Sequence, residues 1–138
     1  MLSGSEGAEG EALTTDRAPD PRGPYPHLRI DGSHVWVTGQ IGRDPASGDI
    51  VDGGFEPEFQ QAITNLESIL GEVGLDLSDV VRTSVQFTDE SDLDAMNRIC
   101  GERFPSPFPA RTSFGLAFLW KGARVQVDAL ARLRPTAS

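Results

Sequence analysis

Arg111 is the residue in this sequence with the clearest potential to hold a ligand. It follows Pro109-Ala110 at the start of a predicted strand. Its planar guanidinium presents a fixed fork of donors that matches a carboxylate with two parallel hydrogen bonds, which lysine cannot reproduce. The alternative is a structural arginine that pairs with an acid across a subunit interface. The Pro109-Ala110-Arg111-Thr112 motif favours the first interpretation, an anchor for a carboxylate.

Two further residues could contribute to the same chemistry. Tyr25 is the only tyrosine and combines an amphipathic ring with a hydroxyl, although it could equally be an edge aromatic packed against a hairpin. Ser113 shares the strand face of Arg111, because alternate residues of a strand point the same way. No base is adjacent to Ser113 in the sequence, so we do not interpret it as a nucleophile.

The other reactive residue types predict structural roles. His27 and His34 are the only histidines, and both are expected at the surface of a first hairpin. Cys100 lies on the apolar stripe of a helix, which indicates an inert core thiol. Trp36 and Trp120 are expected in core or interface packing. The sequence has no glycine-rich phosphate loop, nucleophile elbow or metal-spaced ligand set, which predicts no metal site.

Length and charge restrict the class of protein. A chain of 138 residues predicts one domain with one core. Net charge is −9, with −3 in residues 1–22 and −6 in the remainder, and the bases are scattered rather than clustered. Nucleic-acid binding, which needs a basic stripe, is therefore not expected. No apolar run approaches the ~20 residues of a membrane helix, and no secretory signal is evident, so we expect a cytoplasmic protein.

The chain is predicted to divide into a tail and a folded domain. Residues 1–22 are rich in Gly, Ala, Ser, Glu and Pro, which predicts a disordered acidic tail. The domain is expected over residues 23–134. It would begin with a hairpin whose strands, His27–Ile30 and His34–Gln40, flank an Asp31-Gly32-Ser33 turn.

The remaining patterns predict helices and strands in alternation. An apolar stripe at 3–4 spacing from Phe55 to Val73 indicates a long helix, and a second runs from Leu93 to Phe104. Alternation over Val80–Thr88 predicts a strand with Val81 on its buried face. Two closing strands are expected over Arg111–Leu119 and Ala123–Leu133. The order ββ-α-β-α-ββ predicts an α/β (α+β) fold with two helices on one face of a mixed sheet, whose other face self-association would cover.

Seven ordered segments resemble the RidA/YjgF family. They are Gly23-Pro24-Tyr25, Thr38-Gly39-Gln40-Ile41, the Asp44-Pro45 loop to Gly48, Asn65-Leu66, Asp92-Leu93 to Asn97, Pro109-Ala110-Arg111-Thr112 and Val125 to Ala131. This resemblance implies a chorismate-mutase-like fold and a homotrimer with ligand sites between subunits. It also implies hydrolysis of imines or enamines such as 2-aminoacrylate to a keto acid and ammonia, without a metal or organic cofactor.

The resemblance also implies roles for individual residues. Arg111 matches the arginine that clamps the substrate carboxylate, and Tyr25 lies in a segment that contributes to the pocket. Thr38 stands at the position of a pocket serine and keeps its hydroxyl. Asn97 matches an asparagine near the site, and Ser113 replaces a frequent cysteine. Thr38 and Asn97 could equally be structural polar groups whose hydrogen bonds are satisfied within the fold.

Gln126 is the informative departure from the family pattern. Deaminating members have a glutamate at this position, which is thought to orient or activate water. A glutamine can hydrogen-bond a water molecule but cannot take its proton. Asp128, on the same strand face, is a weak candidate for a replacement base, because the family also has an acid there.

We therefore expect a small-molecule protein that binds an imine, enamine or keto acid through Arg111 and hydrolyses it, slowly or with a different substrate. Two alternatives stay open. One is a non-catalytic ligand-binding or regulatory trimer, and the other is an accessory enzyme of a specialised pathway with a cyclising or dehydrating role. Ribonuclease activity conflicts with the acidic charge balance.

Overall fold

One mixed sheet with two helices on one of its faces forms the protein, in a computed structural model that describes residues 9–135. The sheet has six strands in the order β1-β2-β3-β6-β4-β5, in which only β4 and β5 are parallel. The elements are β1 (Glu9–Leu13), β2 (Leu28–Asp31), β3 (His34–Ile41), α1 (Phe55–Gly71), β4 (Val80–Phe87), α2 (Leu93–Arg103), β5 (Ala110–Gly115) and β6 (Val125–Arg132).

The core lies between α1 and the central strands. The predicted apolar stripe of α1 is buried, with Phe59, Ile63 and Leu66 fully removed from solvent. Each such side chain stabilises the fold by about 1.5–3 kcal/mol. The helix contacts β3 and β6, and α2 packs beside it. The predicted arrangement of two helices on one face of a mixed sheet is confirmed.

The crossover between the parallel strands β4 and β5 carries α2. Parallel neighbours need such a connection, and here it places α2 beside the edge strand β5. The prediction that Val81 lies on the buried face of β4 is wrong, since its side chain is 44% exposed. The pairing with β6 shifts register between Val80 and Arg82, and such a bulge turns the extra residue outward.

The N-terminal segment differs from the expectation of a disordered tail over residues 1–22. Residues 9–13 form β1, which pairs antiparallel with β2, and Thr15 and Ala18 are buried. For residues 9–22 the expectation is wrong, and the folded domain begins before residue 23. A strand at a sheet edge gains backbone hydrogen bonds even when its own side chains are small or polar. The part of the expectation that concerns residues 1–8 lies outside the described residues.

The sheet face opposite the helices is open in a single chain. Trp36 on β3 is 52% exposed, and Leu130 of β6 lies beside it. Phe114 extends the exposed apolar surface onto β5. Homotrimer formation, which would cover this face, stays a prediction. No helix within residues 9–135 is long and apolar enough to cross a membrane.

Candidate functional site

Arg111 and Asn97 meet at a cavity between α2 and the edge strand β5. A guanidinium nitrogen of Arg111 donates a hydrogen bond to Oδ1 of Asn97. The cavity has a volume of about 310 Å³, and we call it the β5 cavity. Its lining residues are Thr83, Asn97, Cys100, Gly101, Phe104, Phe108, Pro109 and Arg111. The structure therefore brings together two of the residues that the sequence indicated.

The β5 cavity combines one exposed cation with a mainly apolar wall. The residues that the structure describes give Arg111 a neutral amide partner and no carboxylate in an ion pair. Its remaining donors can therefore bind an anion. Burial raises the pKa of the neighbouring Cys100 thiol, an effect that Arg111 partly opposes. Cys100 is thus a protonated wall residue and not a nucleophile.

Ser113 and Thr38 line neither the β5 cavity nor the cavity beside the N-terminal segment. Ser113 lies two residues along β5 from Arg111, and its Oγ is buried without a hydrogen-bond partner in the described part of the chain. Thr38 uses its hydroxyl internally, donating to the carbonyl of Pro26 at 2.7 Å. That bond fastens the segment after Tyr25 to β3.

A second cavity, of about 100 Å³, lies between the N-terminal segment and strands β3 and β6. We call it the N-terminal cavity. Tyr25 is 45% exposed at this cavity, and its hydroxyl accepts a hydrogen bond from the backbone N–H of Arg22 at 3.3 Å. The lining residues are Pro19, Asp20, Pro21, Arg22, Tyr25, His27, Gly39, Gln40, Ile41, Arg43, Trp120 and Gln126.

Gln126 is held in the N-terminal cavity by a neighbouring glutamine and a close glycine. Its Nε2 donates to Oε1 of Gln86 at 3.1 Å. A Cβ atom at Gly39 would lie only 3.0 Å from the Cδ of Gln126, so the bare backbone leaves room for this amide. Gln126 can therefore present its oxygen or its second N–H to water, but it has no basic group.

The register of the sheet puts Arg111 and Gln126 on opposite faces. Arg111 pairs with Thr83 on β4, whereas Gln126 pairs with Gln86. Thr83 and Gln86 are three residues apart on one strand, and an odd spacing means opposite faces. Arg111 lies on the helix-covered face, and Gln126 on the open one. One chain alone does not bring the two residues together.

Sequence reasoning missed a cationic cluster around Trp120. Arg22, Arg43 and Lys121 each place their charge 5.2–5.9 Å from the centre of its indole ring. The three cations are far apart in the sequence, so no local pattern predicted the cluster. Of the two roles expected for Trp120, core packing is excluded, since the residue is 46% exposed in the single chain, and interface packing stays a prediction.

His27 is a buried structural residue rather than the expected surface histidine. Its Nδ1 accepts from the backbone N–H of Thr15 at 3.0 Å. Its Nε2 therefore carries the proton and donates to the carbonyl of Pro19 at 2.7 Å. His27 thus anchors the segment that forms one wall of the N-terminal cavity.

Within residues 9–135, no three His, Cys, Asp or Glu side chains are placed to hold a metal ion. The chemistry available to the site is that of a guanidinium, amides, hydroxyls and the cationic cluster.

Comparisons with known proteins agree with this fold. A family model described as Endoribonuclease L-PSP matches residues 15–133. The human 2-iminobutanoate/2-iminopropanoate deaminase is 39% identical over 119 residues, which cover 86% of this chain and 87% of that protein. The protein of the same name from Capra hircus is 40% identical over the same shares.

Solved structures give the same result. RidA from the Antarctic bacterium Psychrobacter sp. superposes with a TM-score of 0.86 at 31% identity, covering 89% of this chain and 99% of that one. The YjgF gene product from E. coli has a TM-score of 0.80 at 27% identity, with 90% and 99% covered. The chain therefore belongs to the Endoribonuclease L-PSP family, which is the RidA/YjgF family.

Proposed function

We propose that this protein hydrolyses an imine or enamine that carries a carboxylate, with Arg111 as the anchor of that carboxylate. The observation that carries the proposal is the pairing of Arg111 with the neutral Asn97 at an open cavity, which leaves guanidinium donors for an anion. The names of the relatives that are 39% and 40% identical support the reaction class.

The complete site is proposed to form between two copies of the chain in a homotrimer. Arg111 and Gln126 belong to opposite faces of the sheet, so a ligand held by one could contact the other only across an interface. The open face offers Trp36 and Phe114 as apolar contact surface for such an interface. Ser113 Oγ, buried without a partner among the described residues, could also bond to a ligand or a neighbouring copy.

The proposed reaction is addition of water to the C=N carbon followed by loss of ammonia. An enamine first takes a proton at carbon to become the imine. Water then adds, its proton passes to nitrogen, and the tetrahedral intermediate expels ammonia to leave a keto acid. Arg111 would fix the carboxylate, and Gln126 would orient the water by hydrogen bonding. Because an amide takes no proton, the substrate nitrogen itself or a second water receives it.

Binding without turnover is the second candidate function. It is favoured by Gln126. The family pattern has a glutamate at this position, which could act as a general base, whereas an amide cannot. Both candidates need the same anchor, so a binding experiment tests what they share. Release of keto acid from an imine separates them.

The first experiment measures binding of 2-oxobutanoate to the Arg111→Ala variant by titration calorimetry. A charge-assisted hydrogen bond contributes about 1.5–3 kcal/mol, so the variant should bind at least about tenfold more weakly. Arg111→Lys should resemble Arg111→Ala, because an ammonium lacks the planar fork. Arg134→Gln is the control, since Arg134 is an exposed cation paired with Asp76 and Asp79. Equal affinity of wild type and Arg111→Ala would show that Arg111 is structural.

Mixed oligomers test whether the site is shared between copies. Arg111→Ala and Tyr25→Ala subunits would be unfolded, mixed in equal amounts and refolded together. If each site takes Arg111 from one copy and Tyr25 from the next, about a quarter of the sites regain both residues. If binding does not recover, Arg111 and Tyr25 act within the same subunit. Undiminished binding by Tyr25→Ala alone would remove the N-terminal cavity from the site.

A further inference from the structure

Two members of the cationic cluster, Arg22 and Arg43, line the N-terminal cavity together with Trp120 and Gln126. Arg43 and Lys121 place their charges 5.3 and 5.2 Å from the centre of the indole ring, and Arg22 lies at 5.9 Å. The electron-rich face of an indole attracts cations at these distances. The ring therefore contacts three like charges, and two of these, Arg22 and Arg43, lie in the wall of the cavity.

The charge of Arg43 is not neutralised by a contacting carboxylate. Its side chain is only 7% exposed, and it donates to the backbone carbonyls of Gly48 at 2.8 Å and Asp20 at 3.0 Å. Burial, and then repulsion from Arg22, lower the pKa of Arg43, while the nearby acids Asp20 and Asp49 act in the opposite direction. The ion pairs identified among residues 9–135 include none of the three cations. Against the three cations stand Asp20, which lines the same cavity, and Asp49, so the excess among these groups is one positive charge.

The backbone at Lys121 supports a specific role for the cluster. Lys121 has a φ of +58°, and within residues 9–135 it is the only residue other than glycine with a positive φ. L-residues adopt this conformation at a cost in energy, which persists where the surrounding structure or function requires it. The left-handed turn places the ammonium of Lys121 over Trp120.

The neutral side chain of Gln126 keeps these charges available. A carboxylate at this position would lie in the same cavity as Arg22 and Arg43 and could pair with them. The whole chain is acidic, with a net charge of −9, so a local positive excess would attract anions although the protein's overall charge repels them. The cavity, at about 100 Å³, is smaller than the ~300–1,000 Å³ of sites for whole drug-sized ligands and fits one terminal group.

We propose that Arg22, Arg43, Lys121 and Trp120 bind a second anionic group of the ligand, so that the preferred substrate is a dianion. It would be an imino or enamino acid whose far end bears a carboxylate or a phosphate. This inference rests on the proposed function in one respect, because the first carboxylate is the one that Arg111 holds. The second anion site itself can be tested without Arg111.

The test compares ligands with one and two anionic groups at low ionic strength, where screening is weak. The ligands are 2-oxobutanoate, 2-oxoglutarate and inorganic phosphate, and the readouts are calorimetry and tryptophan fluorescence. The variant is Arg22→Gln combined with Lys121→Gly, which removes the two exposed cations and leaves the buried Arg43 in place. Arg134→Gln combined with Arg98→Gln is the charge-matched control, since both residues lie in exposed ion pairs. The Trp120→Phe variant shows which part of the fluorescence change comes from Trp120 and which from Trp36.

Wild type should bind 2-oxoglutarate at least about tenfold more tightly than 2-oxobutanoate, as expected for one added charge-assisted contact. The double variant should lose most of this preference while its affinity for 2-oxobutanoate is unchanged. Its thermal stability should not fall, because Lys121→Gly removes a strained residue. If phosphate alone changes Trp120 fluorescence and 2-oxoglutarate shows no preference, the second group is a phosphate.

Two further outcomes separate the proposals. If 2-oxobutanoate does not bind but phosphate perturbs Trp120 in a manner that depends on Arg22 and Lys121, the anion site stands and the Arg111 anchor fails. If neither 2-oxoglutarate nor phosphate responds to the double variant, or if the control loses the preference equally, the second anion site is overturned.

Discussion

Replacing Gln126 by glutamate would introduce an ionisable oxygen into the N-terminal cavity with almost no change in side-chain size. The present amide donates to Gln86 at 3.1 Å, and a carboxylate could keep this contact if the Gln86 amide turned its nitrogen toward it. The space left by Gly39 is the same for both side chains. The perturbation is thus chemical rather than steric.

The expected gain in the rate of imine hydrolysis is smaller than a fully effective general base provides. A positioned base contributes about 10²–10⁴ in rate. Arg22 and Arg43 line the same cavity, and such cations stabilise the charged carboxylate and weaken it as a base. We therefore expect about a tenfold increase, which corresponds to about 1.4 kcal/mol in the activation barrier.

The assay follows keto-acid release from 2-iminobutanoate generated in place by a PLP-dependent lyase or an amino-acid oxidase. Gln40→Glu is the matched control, because Gln40 lines the same cavity but directs its Nε2 to the carbonyl of Thr38. An equal gain in both variants would show a general effect of charge instead of a positioned base. A wild type as fast as Gln126→Glu would refute the reasoning, and inactivity of both would favour binding without turnover.

Two further predictions concern stability. His27→Ala should lower the free energy of unfolding by about 2–4 kcal/mol in urea denaturation, because the Thr15 N–H and the Pro19 carbonyl both lose a buried partner; an unchanged midpoint would contradict this role. Burial raises the pKa of Glu58, which accepts from the Arg124 N–H, so its contribution to stability is present at low pH and is lost as pH rises through the folded-state pKa. Glu58→Gln keeps the acceptor and should exceed wild type in stability at pH 7 but not at pH 3, and an equal difference at both pH values would contradict it.

The fold was predictable wherever side-chain pattern alone determines an element. The stripe of α1 and the alternation along the central strands identify which faces are buried, because burial of apolar surface dominates folding. β1 could not be predicted in this way, since its stability depends on the backbone groups offered by β2 rather than on its own residues. Val81 was misplaced because nothing in the sequence marks the bulge that precedes Arg82.

The site was predictable only in part, because the relative placement of Arg111 and Gln126 depends on contacts between residues that are distant in the sequence. Arg111 and Asn97 were both singled out, and their contact follows from the crossover through α2. The opposite placement of Gln126 depends on the register of β4, which lies between β5 and β6. The cluster around Trp120 unites loops that are distant in sequence, and no local spacing indicates it.

The N-terminal strand has a consequence for how copies of this protein can associate. An unprotected edge strand has unpaired backbone N–H and C=O groups, which can pair with a strand of another chain and lead to aggregation. Here β1 occupies the outer edge of β2, and its sequence, EGEAL, contains two acids and no base. A second copy that paired edge to edge here would place two strands of this acidic sequence side by side. Because like charges on neighbouring strands repel each other, the acidity of β1 disfavours open-ended strand addition at this edge.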